Sequence, residues 1–96
     1  MRLTVNGAIC YRKEGDVLET RELVLDRDDI SGFEVWELVR VQGATVQHDR
    51  FYHSMIAHAS TEAPMQDFFA NRIQELQDQG FALARPTPPQ AEGQAR

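Results

Sequence analysis

The clearest pattern of apolar positions in the chain lies between residues 61 and 80. Thr61 can cap the N-terminus of a helix there, and Gly80 can end it with Phe81 folding back on the last turn. Between them, apolar residues recur at intervals of three and four, which places them on one helical face. These residues are Met65, Phe68, Phe69, Ile73 and Leu76. The pattern predicts an amphipathic helix that lies on an apolar surface.

The first 25 residues carry the turn signals of antiparallel strands. Asn6-Gly7 is a favoured type I′ hairpin turn, and apolar residues stand on both sides of it. Glu14-Gly15-Asp16 marks a second turn, before a strand over residues 17–25. The apolar ends and charged middle of that strand indicate an edge strand or a bulge. Together these signals predict a three-stranded meander over residues 2–25.

Residues 33–41, FEVWELVRV, are the best strand sequence in the chain because aromatic and β-branched residues dominate them. The two-residue period of a strand divides them between two faces. One face carries Phe33, Val35, Glu37, Val39 and Val41. The other carries Glu34, Trp36, Leu38 and Arg40. Large apolar side chains on both faces indicate a central strand or a bulged one.

The remaining segments complete an α+β fold. Residues 26–32 form an acidic loop, residues 42–44 a turn and residues 45–52 a returning strand, whereas residues 53–60 stay ambiguous between strand, helix and loop. We expect a four- or five-stranded antiparallel meander packed by one C-terminal helix, with residues 81–85 docking briefly on it. Residues 1–85 are predicted to be one domain, and the Pro-rich residues 86–96 a disordered tail.

Composition is that of a small globular protein. The chain has 96 residues, 42% of them hydrophobic and 26% charged, which allows one modest core. No apolar run approaches the roughly 20 residues that span a bilayer, and the N-terminus lacks the apolar core of a secretory signal. Cys10 is the one cysteine, so no internal disulfide can form. We expect a cytoplasmic protein that does not enter the membrane.

Charge points to a protein partner more than to nucleic acid. The net charge is −5, and residues 14–37 hold nine acidic residues against two arginines. An acidic surface can simply keep a protein soluble, or it can steer a partner that has a basic patch. The candidate partner-binding carboxylates are Asp26, Asp28, Asp29, Glu34 and Glu37. Binding to nucleic acid is disfavoured because phosphates must be neutralised by basic side chains.

No spacing in the chain is typical of a catalytic or metal site. The acidic loop 26–32 does not follow the ligand pattern of a calcium-binding EF-hand. His48, His53 and His58 recur every five residues, which would place neighbours on different faces of a strand or helix. Whether they meet in space is left open. We expect no enzyme activity, no cofactor and no metal.

The aromatic residues Phe33, Trp36 and Tyr52 have two interpretations. They can pack beneath the helix, as aromatic residues of small cores usually do, or they can form an exposed binding patch. One helix covers only one face of a sheet, so Trp36 and Leu38 are expected at a subunit interface or a binding surface. A homodimer through this second face is the preferred interpretation.

Residues 17–81 resemble the WGR domain, a small antiparallel sheet with one helix that occurs in poly(ADP-ribose) polymerases and as separate bacterial proteins. The resemblance rests on Gly32-Phe33-Glu34-Val35-Trp36, Arg40-Val41 with Gly43, and Ala63, Phe68, Ile73 and Gly80-Phe81. Of the motif that names the family, only Arg40 is shared, within Leu38-Val39-Arg40. The family implies nucleic-acid binding, for which Trp36 and Arg40 are the candidates here, with Arg50 beside them.

Two functions follow as hypotheses. The first is a small non-enzymatic interaction or regulatory module that binds a protein through its acidic region or through the sheet face of Trp36 and Leu38. The alternative is a WGR-like nucleic-acid-binding module that uses Trp36, Arg40 and Arg50.

Overall fold

The computed structural model describes residues 2–43 and 50–86. Five strands and one helix follow each other along the chain. They are β1 (Arg2–Glu14), β2 (Val17–Asp28), β3 (Gly32–Gly43), β4 (Arg50–Ala59), α1 (Glu62–Asp78) and β5 (Ala82–Pro86). All neighbouring strands pair antiparallel, in the order β4-β3-β2-β1-β5. The predicted α+β meander with a helix behind it is confirmed, with five strands.

The predicted hairpin at Asn6-Gly7 is wrong. Strand β1 runs through both residues, and its register with β2 shifts between Thr4 and Asn6. Neither residue has the positive φ that a type I′ turn requires. Instead, the Asn6 amide donates to Gln66 of α1 over 3.3 Å, and Gly7 is buried. Residues 2–25 therefore form two long strands, since pairing with all of β2 and contact with α1 outweigh the local turn preference.

The prediction that residues 17–25 form an edge strand or a bulged strand is also wrong. Strand β2 lies at the centre of the sheet, between β1 and β3, and the register shift against β1 skips Val5 of the partner strand. Its charged middle is accommodated because Arg21 binds Glu19 of the same strand and Glu37 of β3. The predicted turn between β1 and β2 is confirmed, with Gly15 at φ +62°.

The two faces of β3 are those expected from the period of two. Val35 and Val39 are buried on the side that α1 covers, and Phe33 packs against the same core. This side of the sheet is called the covered face. Trp36 and Leu38 lie on the opposite side, together with Val24. This second side, the open face, has no helix over it among the described residues.

Helix α1 supplies the other half of the core. Its side chains Met65, Phe69 and Leu76 are buried against Leu23 and Leu25 of β2, which are fully enclosed. Thr61 occupies the N-cap position but makes no side-chain capping bond, contrary to the expected cap. The C-terminus follows the expectation, since Gly80 stands directly after the C-cap residue Gln79.

Gly80 ends the helix and directs the chain into β5. With φ at +97°, it lets its own N–H bond to Gln77 and the N–H of Phe81 bond to Leu76, both over 3.0 Å. These two bonds are a Schellman motif. Phe81 is only 3% exposed, and Arg12 holds the carbonyl of Gln79 over 2.9 Å. The motif therefore sets the position from which β5 joins the free edge of β1, as the predicted docking of residues 81–85 requires.

Candidate functional site: the open face of the sheet

An ion cluster lies at one end of the open face, on β1, β2 and β3. The guanidinium of Arg2 is 3.2 Å from a carboxylate oxygen of Glu34 and 3.9 Å from oxygens of both Asp26 and Asp28. These four residues are called the open cluster. Asp26 and Glu34 are 8% and 5% exposed, although no element covers them among the described residues. One guanidinium therefore faces three carboxylates.

Hydrogen bonds hold the carboxylates of the open cluster in place. Glu34 accepts from the indole N–H of Trp36 at 3.0 Å and from the Ser31 hydroxyl at 2.6 Å. Asp28 accepts from the backbone N–H of Ile30 and lies 3.0 Å from the same hydroxyl, whose single proton it shares with Glu34. The Thr4 hydroxyl donates to Asp26 over 3.2 Å. The cluster is thus a rigid feature of the sheet and its β2–β3 turn.

The pKa values within the open cluster move in different directions. Burial raises the pKa of Asp26, helped by the charge of Glu34, and the bond from Thr4 and the charge of Arg2 only partly offset this. The bonds from Ser31 and Trp36 lower the pKa of Glu34. The backbone N–H of Ile30 and the hydroxyl of Ser31 lower that of Asp28. Asp26 is therefore the carboxylate whose charge is least well compensated.

A shallow recess of about 410 Å³ adjoins the cluster. Trp36 forms its centre, with the guanidinium of Arg2 at 5.4 Å from the ring centroid on one side and the ring of His53 at 5.7 Å. Its other walls are Val24, Asp26, Leu38 and Phe51. Phe51 is 60% exposed, and Met55, which pairs with Trp36 across the strands, is 43% exposed. The recess combines an aromatic floor, apolar walls and a carboxylate.

A second ion cluster lies on the covered face, and its central carboxylate binds two arginines instead of sharing one. Glu37 accepts two bonds from Arg72 of α1, at 2.8 and 3.1 Å, and a third from Arg21 at 2.5 Å. Arg21 also binds Glu19, and Arg72 also binds Glu75. These five residues are called the covered cluster. Its central carboxylate, only 5% exposed, has two guanidinium partners.

The pKa of Glu37 shows how complete this compensation is. Burial alone would raise it, but the hydrogen bonds and charges of Arg72 and Arg21 outweigh burial and hold the pKa below its usual value. The pKa of Glu19 is lowered in the same way, because the hydrogen bonds and charges of Arg21 and Arg12 outweigh the effect of burial. The bond to Glu37 raises the pKa of Arg72. The covered cluster therefore joins helix to sheet, and the carboxylate of Glu37 is already occupied by Arg72 and Arg21.

The structure thus divides the predicted partner-binding residues. Asp26, Asp28, Glu34, Trp36 and Leu38 come together on the open face, whereas Glu37 lies on the covered face. Asp29 is exposed in the turn between β2 and β3. The acidic region and the aromatic sheet face, which the sequence offered as two separate surfaces, are largely one surface.

The predicted nucleic-acid residues are only partly described. Arg40 is exposed on β3, opposite Phe51. The backbone of Arg50 pairs with Val41, and its side chain lies outside what the structure describes. Of the three aromatic residues considered for the core, Phe33 packs under α1, Trp36 lies on the open face and Tyr52 is 56% exposed.

Two of the three histidines share a face, contrary to the expectation from their spacing. His53 pairs with Leu38 and His58 with Glu34, because the register shifts between Val35 and Trp36 and one residue of β4 is skipped. His48 lies outside the described residues. Within residues 2–43 and 50–86, no three side chains of His, Cys, Asp or Glu are grouped as a metal site would require.

Sequence reasoning missed the arginines of both clusters. Arg72 was detectable, since it follows Phe68 by four residues and Phe69 by three and so falls on the apolar face of the helix. Glu37 lies on the apolar face of β3 in the same way. A charged residue on each of two packing faces is a signal for an ion pair between them. No local signal indicates the position of Arg2.

The comparisons with known proteins add no relative. No family model matches the chain, and neither a curated protein nor a solved structure matches it. Among the residues that the structure describes, no helix is both long enough and apolar enough to cross a membrane. We therefore infer function from the open face itself.

Proposed function

We propose that this protein is a small non-enzymatic interaction module that binds a basic segment of a partner protein on its open face. The observation that carries the proposal is the pairing of an uncovered apolar recess with a cluster of three carboxylates and one arginine. A partner would cover the apolar side chains and add the positive charge that the cluster lacks.

The apolar part of the surface supports burial by a partner. Val24, Trp36 and Leu38 are half-buried, and Phe51 and Met55 are exposed beside them. Contiguous apolar side chains on the surface of a small protein mark sites of association more often than isolated ones do. Tryptophan in a recess is also the residue type that most often dominates binding energy in protein interfaces.

The charged part of the surface supports a basic partner. A guanidinium already lies over Trp36 in the form of Arg2, which shows that the ring and Glu34 together accommodate a planar cation. An arginine or lysine of the partner would meet Asp26, whose raised pKa reflects incomplete compensation. Proximity of that cation would lower the pKa of Asp26 again.

A peptide-display library selected on the purified protein tests the proposal. We expect enriched peptides that combine arginine or lysine with an aromatic or aliphatic residue. Fluorescence anisotropy should show that Leu38→Asp weakens the best peptide by roughly tenfold or more, as expected for a hot-spot position. Added salt should weaken it as well, since the attraction is partly electrostatic.

The strand β4 offers a matched control. Phe51 and Tyr52 are adjacent and similarly exposed, at 60% and 56%, but only Phe51 lines the recess of Trp36. Phe51→Ser should reduce peptide binding, and Tyr52→Ser should leave it unchanged. If no peptide is enriched, or if Leu38→Asp binds the enriched peptides as well as the wild type does, the proposal is wrong.

Nucleic-acid binding is the competing outcome of the same assay. Trp36 and Arg40 do share the open face, but so do the three carboxylates of the open cluster, which repel phosphates. We expect labelled single- and double-stranded DNA and RNA to remain unbound at micromolar protein and low salt. Salt-sensitive binding that Arg40→Ala weakens would replace the present proposal with the WGR-like one.

A further inference from the structure

The two edges of the sheet differ in how they are protected against pairing with another strand. The β5 edge is five residues long and ends in Pro86, which has no N–H to donate. The β4 edge is ten residues long and contains no proline, lysine or carboxylate. Within the described sheet its one neighbour is β3. Its outer N–H and C=O groups therefore form a template for an additional strand.

Strand β4 exposes large apolar or aromatic side chains on both of its faces, and a strand added at its edge would bury part of their surface. Phe51 and Met55 project on the open face, and Tyr52 projects on the other side of the same strand. Fully buried aromatic side chains each remove about 150–250 Å² from water. With 60% and 56% of their surfaces exposed, Phe51 and Tyr52 of two copies would contribute at most roughly 450 Å², the value for complete burial.

We propose that β4 pairs antiparallel with β4 of a second copy of this chain, which joins the two sheets edge to edge about a two-fold axis. An antiparallel strand is complementary to itself under such an axis, so one surface serves both partners. The aromatic contribution alone approaches half of the roughly 1,000 Å² that a specific interface needs, and the rest of both strands adds to it. The interface is therefore small, and the dimer is reversible.

Charge favours a second copy at this edge rather than at another surface. Each chain carries a net charge of −5, so two copies repel each other. The central strands β2 and β3 carry carboxylates on both faces, whereas β4 carries none. Contact through β4 keeps the acidic side chains of the two copies apart. Because the repulsion is long-range, added salt should strengthen the dimer.

The inference goes beyond the proposed function and can fail independently of it. Edge pairing covers Phe51 at the rim of the recess but leaves Trp36 and Leu38 open to a peptide, and it places the open faces of the two copies on the same side of a ten-stranded sheet. The two interactions also respond to salt in opposite directions, since salt weakens the attraction of a basic peptide and strengthens the association of two acidic chains.

Sedimentation velocity of the full chain, from about 1 µM to about 1 mM and at low and high salt, tests the dimer over the range of a small interface. We expect concentration-dependent formation of a species of twice 10.9 kDa, favoured by salt. Tyr52→Lys places a charge at the edge but outside the recess, and should raise the dissociation constant roughly tenfold or more. Leu38→Asp lies in the recess but away from the edge, and should leave it unchanged.

Amide hydrogen exchange gives an independent readout on the wild type. The outward-facing N–H groups of β4 should exchange more slowly in concentrated than in dilute protein, because they become bonded in the dimer. A monomer at the highest concentration would overturn the proposal. So would a dimer that Leu38→Asp breaks and Tyr52→Lys does not, since that pattern assigns the contact to the open face. Open-ended aggregates in place of a closed dimer would overturn it as well.

Discussion

The covered and open faces of the sheet each hold a carboxylate that is only 5% exposed, but they stabilise it differently. Glu37 on the covered face binds two arginines and is overlaid by α1. Glu34 on the open face shares one arginine with Asp26 and Asp28, and otherwise depends on neutral donors from Ser31 and Trp36. Among the described residues, the first carboxylate has two guanidinium partners, whereas in the second arrangement three carboxylates share one guanidinium.

Because of this difference, we relate the covered cluster to stability and the open cluster to the proposed binding. Removing one partner of a buried ion pair is costly because the other charge is left without compensation. The covered cluster avoids that cost at its buried carboxylate, because Glu37 has two guanidinium partners and Glu19 is shared between Arg21 and Arg12, and it holds the helix on the sheet. The open cluster leaves negative charge in excess beside an uncovered tryptophan. That excess does not stabilise the fold, which is why the open face is the surface at which we propose binding.

The largest expected effect on stability comes from truncating a leucine on the covered face, and truncating one on the open face provides the comparison. Leu23 is fully buried beneath α1, whereas Leu38 is half-buried in the open recess. We expect Leu23→Ala to lower the free energy of unfolding by about 3 kcal/mol and Leu38→Ala by about 1 kcal/mol, because the cost grows with the buried volume that is lost. Urea unfolding followed by circular dichroism measures both. Equal losses would mean that the open face is covered in solution.

A smaller effect is expected from Glu37→Gln, which breaks the covered cluster without changing its shape. The loss should be about 2 kcal/mol, below the full cost of a buried pair because Arg21 and Arg72 keep Glu19 and Glu75 as partners. Urea unfolding at pH 7 measures it, and Glu75→Gln serves as the exposed control, within about 0.5 kcal/mol of the wild type.

The pH dependence of this effect has a defined sign. The pKa of Glu37 is lowered in the folded chain, so its contribution is complete above the unfolded value of about 4.3. It is lost as the pH falls through the folded pKa, where Glu37 becomes protonated. The difference between the wild type and Glu37→Gln should therefore shrink below about pH 4. A difference that persists where Glu37 is protonated would show that the charge of Glu37 is not the source of the stabilisation.

The fold was predictable where local patterns and long-range packing agree. The faces of β3 and the limits of α1 follow from periods of two and 3.6 residues and from Gly80. Prediction failed at Asn6-Gly7, where the preferred local turn competes with pairing to β2 and contact with α1, and pairing prevails. It failed again at His53 and His58, because a single skipped residue in β4 reverses which positions share a face.

The candidate site was predictable in part for the same reason. Trp36 and Leu38 follow from the alternation within one strand, and the acidic composition of residues 26–34 is visible directly. That Asp26 and Glu34 lie side by side depends on the register between β2 and β3, which composition does not reveal. The position of Arg2 depends on the register of β1, which the expected hairpin would have changed. His48, whose position relative to the other two histidines the spacing leaves open, lies outside the described residues, as do residues 87–96 of the predicted tail over 86–96.

The smallest predicted effect comes from Asp26. It distinguishes the two clusters best, because the pKa of Asp26 is shifted in the opposite direction from that of Glu37. The pKa of Asp26 is raised in the folded chain, so its protonated form is favoured there. This stabilising contribution is complete below the unfolded value of about 3.9 and is lost as the pH rises through the folded pKa. At pH 7 Asp26→Asn should thus be as stable as the wild type or more stable, by at most about 1 kcal/mol, and the difference should vanish near pH 3. Urea unfolding at both pH values measures it, with the exposed Asp67→Asn as control. Were Asp26→Asn to lose as much stability at pH 7 as Glu37→Gln, the open cluster would be as complete as the covered one, and the case for a basic partner would fail with it.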